Sequence, residues 1–253
     1  MSITLKNLAN ILNQELKPWR YTDYAPNGLQ VEGKAEVHKI ISGVTACERL
    51  LDEAIKQKAD AVLVHHGYFW KNENPCITGI KQRRISKLLL NQISLLAYHL
   101  PLDAHPTLGN NAQLAEMLNI NITGGLDLNT DNPTGNVGEL AEPVSVFDFA
   151  EKIGNTVDRQ PLVVEGGQHQ VRTVALCTGA AQDYIDLAIE RNADVFVSGE
   201  ISERTVHIAR EAGIHYIAAG HHATERYGVM ALGEWLQKTQ DIEHEFIDVP
   251  NPA

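Results

Sequence analysis

Residues 51–63 are echoed about 134 positions later by residues 185–197. Asp52, Ala54, Ile55, Ala59 and Asp60 recur in register as Asp186, Ala188, Ile189, Ala193 and Asp194. In the first copy Leu50, Leu51, Ala54 and Ile55 fall on one face of a helix predicted over residues 48–58. The helix leads into a strand, Ala61-Val-Leu-Val, which is apolar throughout, as a strand covered on both faces of a parallel sheet should be. A repeated helix-strand unit of this kind points to an α/β fold made of two related α/β lobes.

The rest of the chain supplies the other layers. Residues 5–16, 111–118, 144–153 and 232–236 have helical periodicity, and residues 39–44, 171–177 and 245–249 read as strands. Residues 24–30 read as a turn built on Asn27-Gly28. The stretch 124–135 is rich in turn formers and has little core pattern, which places the lobe boundary there. The expectation is a first lobe over residues 1–125 and a second over 126–253, with no inserted middle domain.

Composition narrows the function classes. Apolar residues make up 43% and charged residues 21%, as in an ordinary globular protein. No apolar run approaches the roughly 18 residues that span a bilayer, and the first residues lack a signal-peptide pattern, so no membrane partner and a cytoplasmic location are expected. A formal charge of −11 disfavours extended nucleic acid, which proteins engage through clustered Lys and Arg. A single nucleotide stays compatible, because bound metal ions add positive charge that this count omits. Cys47, Cys76 and Cys177 are widely spaced with no CxxC, which argues for buried structural thiols over a disulfide framework or a cysteine zinc site.

Histidines and carboxylates gather where strands end and helices begin. His65-His66 follows the apolar strand, at the carboxyl end where open α/β sheets bind ligands. Read alone, the pair fits a surface dipeptide equally well, and both rings share a site only if the backbone turns directly after Val64. His221 and Glu225 are four apart after Gly220, so a helix starting there presents both on one face. His99-Leu-Pro-Leu-Asp103 repeats the His-to-carboxylate spacing, although Pro101 argues for a rigid turn over a regular helix. Asp103 is then a ligand or a turn-forming residue, and His99 an acid-base group, a partner of a ligand or a core residue. Glu200, at the strand end that corresponds to His65-His66, is a candidate general base. His105, His207 and His222 read as loop, structural or supporting residues. Histidine with carboxylate and no cysteine suits Zn, Mn, Fe, Co or Ni.

The ordered set Tyr24-Ala-Pro-Asn-Gly-Leu-Gln-Val-Glu-Gly, Val64-His-His-Gly, His99-Leu-Pro-Leu-Asp103, Ser198-Gly-Glu and Gly220-His-His-Ala-Thr-Glu225 resembles the Nif-three-like proteins, the GTP cyclohydrolase I type 2 homologues. The resemblance runs from about Leu5 to the terminal Ile247-Asp-Val-Pro-Asn-Pro. It implies the Nif-three-like fold, with a metal-binding cleft between the lobes, two divalent metal ions per subunit and a homohexameric ring. The metal ligands it implies are His65, His66, Asp103, His221 and Glu225, with Glu225 bridging.

The function expected from the resemblance is a dinuclear metal-dependent hydrolase acting on a small nucleotide-like substrate, with a purine nucleotide and GTP cyclohydrolase-type ring opening among the candidates. Such ring opening needs water to attack C8 of guanine and a group to protonate the departing ring nitrogen. His99 and Glu200 are the candidates for that proton traffic. No Gly-rich P-loop is present to hold a triphosphate. The rival is a metal-binding regulatory or scaffold protein without catalytic turnover, because a fold and its metal site do not specify a reaction. Free histidine titrates near pH 6.5, so loss of metal from the imidazole ligands is expected to begin below that value.

Overall fold

The computed structural model describes residues 2–253, which form two compact units. The first takes the chain up to Leu102 and then Gly228–Pro250; the second takes Asp103–Tyr227 and Asn251–Ala253.

The first unit is built on a five-stranded sheet in the order Glu243–Phe246, Lys39–Thr45, Ala61–His66, Ser94–Ala97, Gly28–Val31. The first four strands are parallel and the last is antiparallel. The helices Glu48–Lys56 and Gly79–Leu90 connect the parallel strands. Leu50, Leu51 and Ala54 of the first helix pack with Val62 and Val64 of the strand that follows it in one buried cluster. Burying a side chain of this size contributes roughly 1.5–3 kcal/mol. The N-terminal helix Leu5–Leu16 buries Leu5, Leu8, Leu12 and Leu16, an i, i+3, i+7, i+11 stripe, and the Thr4 hydroxyl caps it by accepting from the Asn7 amide.

The second unit carries a six-stranded sheet in the order Asn121–Gly125, Asn136–Val144, Val171–Cys177, Val195–Ser198, His215–Ala218, Leu162–Val164. Val171–Cys177, Val195–Ser198 and His215–Ala218 are parallel, and their outer neighbours are antiparallel. Helices Ile185–Glu190 and Glu203–Ala212 make the crossovers. Val157, Phe149 and Ile153 of helix Val146–Val157 pack with Val174, Val195 and Ile217.

The sequence repeat is a repeat of hydrogen bonds as well as of side chains. Lys39–Thr45, Ala61–His66 and Ser94–Ala97 in one sheet, and Val171–Cys177, Val195–Ser198 and His215–Ala218 in the other, form matching runs of three parallel strands with an antiparallel strand beside the third. Ile40 pairs with Ala61 in one unit, as Val174 pairs with Val195 in the other. Asp60 Oδ2 accepts from the amides of His38 and Lys39, and Asp194 Oδ2 accepts from those of Arg172 and Thr173. The two related α/β lobes read from the sequence are therefore present.

Five details depart from the sequence reading. The division falls at Leu102/Asp103 and not at 125/126, because Asn121–Gly125 pairs with Asn136–Val144 in the second sheet. The chain also returns to the first unit near its end, where Glu243–Phe246 pairs with Lys39–Thr45. The strand after the first crossover helix does not turn after Val64: pairing to one neighbour ends at Val64↔Ala97, while pairing to the other continues to Thr45↔His66. Leu100–Asp103 is a short helix despite Pro101, which sits in the first turn where amide groups lack an intrahelical acceptor. Of the three thiols only Cys177 is buried; Cys47 is half-buried and Cys76 exposed. Among the described residues no helix is long and apolar enough to cross a membrane.

Candidate metal centre

In the first unit three imidazoles meet at the carboxyl ends of the parallel strands. His65 and His66 end the strand Ala61–His66, and His99 follows the strand Ser94–Ala97. One ring nitrogen of each lies within 4.8 Å of the others. The rings of His65 and His66 are 4.5 Å apart at their centroids, and that of His99 is 5.1 Å from His65 and 5.6 Å from His66. His65 is fully buried, and its Nδ1 faces the Tyr98 carbonyl at 2.9 Å. A carbonyl only accepts, so Nδ1 carries the proton and Nε2 presents its lone pair. A metal-binding histidine is oriented in this way, by a hydrogen bond from the N–H of its other ring nitrogen. Nδ1 of His66 lies 3.3 Å from the Thr45 hydroxyl.

His99 is held by a residue that the sequence reading did not single out. Its Nδ1 lies 2.7 Å from Asp23 Oδ1, and its backbone amide donates to Asn27 Oδ1. Burial works against the charge on Asp23, but hydrogen bonds from His99 and Asn27, the charge of His99 and the Tyr24 amide outweigh it and hold the carboxyl below its usual range. Asp23 precedes His99 by 76 residues and lies in a loop, so no local spacing announces the pair. The aromatic run after His66 divides. Tyr68 is a core residue whose hydroxyl donates to the Ala46 carbonyl, while Trp70 packs edge-on to His99 at 5.1 Å.

In the second unit His221 opens the short helix His221–Thr224, and Glu225 follows directly. His221 Nε2 stands 3.0 Å from Glu225 Oε2, and its Nδ1 stands 2.6 Å from Glu200 Oε1. Burial opposes a charge on this ring, yet the hydrogen bonds and charges of Glu225 and Glu200 outweigh it and push its pKa up to about 9. Glu200 thus lies against the outer nitrogen of His221. His222 is buried on the same turn, and its amide donates to the Ala253 carbonyl. His207 is exposed, and Nδ1 of His105 accepts from the amides of Thr107 and Leu108 as a loop residue.

Asp103 and Glu225 are 7% and 3% exposed, and a carboxylate oxygen of one lies within 4.8 Å of a carboxylate oxygen of the other. Two like charges this close and this dry call for a cation or a proton between them. Their combined field reaches Cys177, whose thiol pKa is raised first by burial and then by both carboxylates. Asn110 Nδ2 donates to Asp103 Oδ1 at 2.8 Å, and the Thr178 hydroxyl donates to the same oxygen at 3.4 Å. Asn111 Nδ2 donates to the Asp103 carbonyl, and Asn111 Oδ1 accepts from the Thr178 amide. Gly179, at φ +69°, closes the cradle: a Cβ there would stand 2.0 Å from Glu225 Oε1. The sequence reading missed Asn110, Asn111, Thr178 and Gly179.

The residues fit a divalent cation. Ligand bonds of about 2.0–2.2 Å place two donors on one ion about 3–3.5 Å apart, and His221 Nε2 and Glu225 Oε2 already have that spacing. Imidazole nitrogens with their second nitrogens pinned, beside buried carboxylates, form the donor set of borderline first-row metals.

Residues 3–252 match the family model described as Duf34/NIF3 (NGG1p interacting factor 3). A Pseudomonas aeruginosa protein named GTP cyclohydrolase 1 type 2 homolog is 55% identical over 253 residues, covering all of both chains. A Haemophilus influenzae protein of the same name is 55% identical over 248 residues, 97% of this chain and 98% of that one. Among solved structures, one described as protein ybgI, of unknown function, is 50% identical with a TM-score of 0.95, covering 99% of this chain and 100% of that chain. TTHA1606 from Thermus thermophilus is 33% identical with a TM-score of 0.90 over the same shares.

Proposed function

We propose, for a chain that belongs to the Duf34/NIF3 family, a dinuclear metal-dependent hydrolase acting on a small nucleotide-like substrate. The residues that would hold divalent ions are His65 and His66 in the first unit and Asp103, His221 and Glu225 in the second. The observation that carries this reading is the pair of buried carboxylates, Asp103 and Glu225, with oxygens within 4.8 Å. Two buried carboxylates this close repel each other, and a divalent cation between them would turn that repulsion into attraction. The tied Nδ1 of His65 and the spacing of His221 from Glu225 lend further support.

When bound, divalent ions supply Lewis acidity and lower the pKa of water toward neutrality. The chain's own groups then divide the remaining work. His99 takes a proton from the attacking water and passes it to the departing ring nitrogen. Glu200, on His221 Nδ1 at 2.6 Å, holds the tautomer and orientation of that ligand, a role its position favours over that of general base. Asn110 and Thr178 hold Asp103. The substrate class rests on the name shared by the bacterial relatives, GTP cyclohydrolase 1 type 2 homolog. The homohexameric ring and the cytoplasmic location belong to the same reading, and the ring is checked by the mass of the protein in solution.

The test is a turnover screen of metal-reconstituted protein against purine nucleotides, phosphoesters and cyclic amides, with Asp103→Ala as control. Turnover that needs both metal and Asp103 supports the hydrolase. Full metal loading with no turnover for any class and any tested metal overturns it in favour of a regulatory or scaffold protein.

A further inference from the structure

The loop that carries Tyr24-Ala-Pro-Asn-Gly lies far in sequence from every residue assigned above, yet it is fastened to the imidazole cluster. Four groups converge on the Asp23 carboxylate. Oδ1 accepts from the Tyr24 amide at 2.6 Å and faces His99 Nδ1 at 2.7 Å; Oδ2 accepts from Asn27 Nδ2 at 2.8 Å and from the Leu100 amide at 3.0 Å. Asn27 completes the clamp, since its Oδ1 accepts from the His99 amide. The far side of the loop is fixed as well: the Lys71 amide donates to the Tyr24 carbonyl, and Gln30 exchanges hydrogen bonds with the backbone of Tyr68.

This pattern determines where the proton of His99 sits. The Asp23 side chain is 4% exposed and receives two backbone amides and a side-chain amide, all donors, which favours a carboxylate with no proton of its own. The hydrogen between Asp23 Oδ1 and His99 Nδ1 is therefore the imidazole's. In the neutral ring Nε2 is left with its lone pair. The ring's centroid lies 5.1 Å from that of His65 and 5.6 Å from that of His66.

We propose that Asp23 is the positioning residue of the reaction: it locks His99 as the Nδ1–H tautomer, while Asn27 holds the His99 backbone, so that Nε2 keeps its lone pair as a base on a ring packed against the metal-binding imidazoles. The inference rests on the hydrolase reading above and gives it a proton carrier. As the water oxygen bonds to the substrate carbon, the electron pair of the adjacent C=N double bond moves to its nitrogen, which takes one water hydrogen as the C–O bond becomes a carbonyl, and the other water proton passes to Nε2. As the ring C–N bond breaks, the same proton passes from Nε2 to the departing nitrogen, while the Nδ1 proton stays on the ring, bonded to Asp23. Only water is consumed. Buried carboxylates orient catalytic imidazoles in this way in other hydrolases.

The tautomer is readable without any substrate. Long-range proton-nitrogen correlation on ¹⁵N-histidine protein, metal-free and near pH 8, reports which nitrogen of His99 is protonated, with His99→Gln to assign the signal. The expected result is an unprotonated Nε2 in the native chain, a switch toward Nε2–H in Asp23→Asn, and an unchanged tautomer in Asn27→Ala, which loosens the loop but keeps the carboxylate. A native His99 with its proton on Nε2 overturns the proposal, as does a tautomer that Asp23→Asn leaves unmoved or that both variants move alike. Should Asp23→Asn fail to fold, the native tautomer still decides. On any substrate found by the turnover screen, Asp23→Asn should lower kcat by about 10²–10⁴-fold with KM unchanged. A rise in KM alone would reject the positioning role. If no substrate is turned over, the hydrolase reading fails and the base role falls with it, whereas a tautomer result contradicting the Asp23 lock sinks this inference and leaves the hydrolase standing.

Discussion

Glu200 Oε1 stands 2.6 Å from His221 Nδ1, while Glu225 Oε2 stands 3.0 Å from Nε2 of the same ring. An imidazole with a carboxylate on each nitrogen holds its second proton tightly. Its pKa rises to about 9 against the cost of burial, Glu225 contributing more than Glu200. The first prediction follows from that order. In metal-free protein, NMR titration of His221 should give a pKa near 9. It should fall in Glu200→Gln and fall further in Glu225→Gln. Equal shifts in the two variants would contradict the ordering.

The same ring makes metal binding depend on pH above the range first expected. A ligand must shed its proton before it binds, so metal competes with the proton on His221 up to about pH 9, well above the ordinary histidine value of 6.5. Metal affinity should therefore keep rising from pH 7 to 9 and release protons as the metal binds. Without metal the stability effect has the opposite sense. The folded pKa lies above the unfolded one, so the contribution of His221 is fully present below about pH 6.5 and is lost as the pH rises through about 9. Calorimetry in two buffers of different ionisation heat measures the protons released. An affinity flat between pH 7 and 9 would mean that His221 is not a ligand.

What was legible in the sequence was whatever local spacing encodes. The stripe of Leu5, Leu8, Leu12 and Leu16 marked its helix to the residue, and the echo of Asp60 in Asp194 marked strands with matching hydrogen bonds. His221 and Glu225 were visible because four residues span one helical turn. Asp23 and Asn110 were not, because what matters is the carboxylate or amide each offers to a partner set by the fold: His99 across 76 residues, and Asp103 from the next helix. Gly179 was invisible for another reason. Its role is an absence of volume beside Glu225, and a glycine carries no periodic signal. The boundary at 125 failed because turn formers also make hairpins, and 124–135 spans one.

The repeated aspartates give a stability test that is independent of the metal. Asp60→Ala and Asp194→Ala each strand two backbone amides, at His38 and Lys39 or at Arg172 and Thr173. Each should cost about 1–3 kcal/mol in urea unfolding, because two hydrogen bonds are lost and each is worth roughly 0.5–1.5 kcal/mol. Asp60 should also make the protein sensitive to acid. Burial would raise its pKa, but the hydrogen bond from Lys34 and the amides of His38 and Lys39 outweigh that and lower it. Its contribution is therefore present above the usual carboxylate value of 3.8 and lost as the pH falls through the lower folded value. A loss under a few tenths of a kcal/mol in both variants would show that these bonds do not hold the strand ends.

The last prediction separates the ligand Glu225 from its neighbours on either side of the helix. Glu225→Ala removes the carboxylate that faces His221 Nε2 and should abolish metal binding, whereas His222→Ala removes a buried ring not assigned as a ligand and should retain it. Gly179→Ala tests the same carboxylate without touching it. The added Cβ would fall 2.0 Å from Glu225 Oε1, and φ +69° is itself strained for any residue with a Cβ. The carboxylate must move, and a displaced ligand should weaken metal binding by about 10–100-fold, the range seen when the support of a ligand is lost. Metal analysis after dialysis against a graded chelator series reads all three variants, with thermal unfolding of the metal-free proteins as the control for folding. Metal loss in His222→Ala equal to that in Glu225→Ala would move the ligand assignment to His222. Native affinity in a folded Gly179→Ala would show that Glu225 holds no ion in the position described.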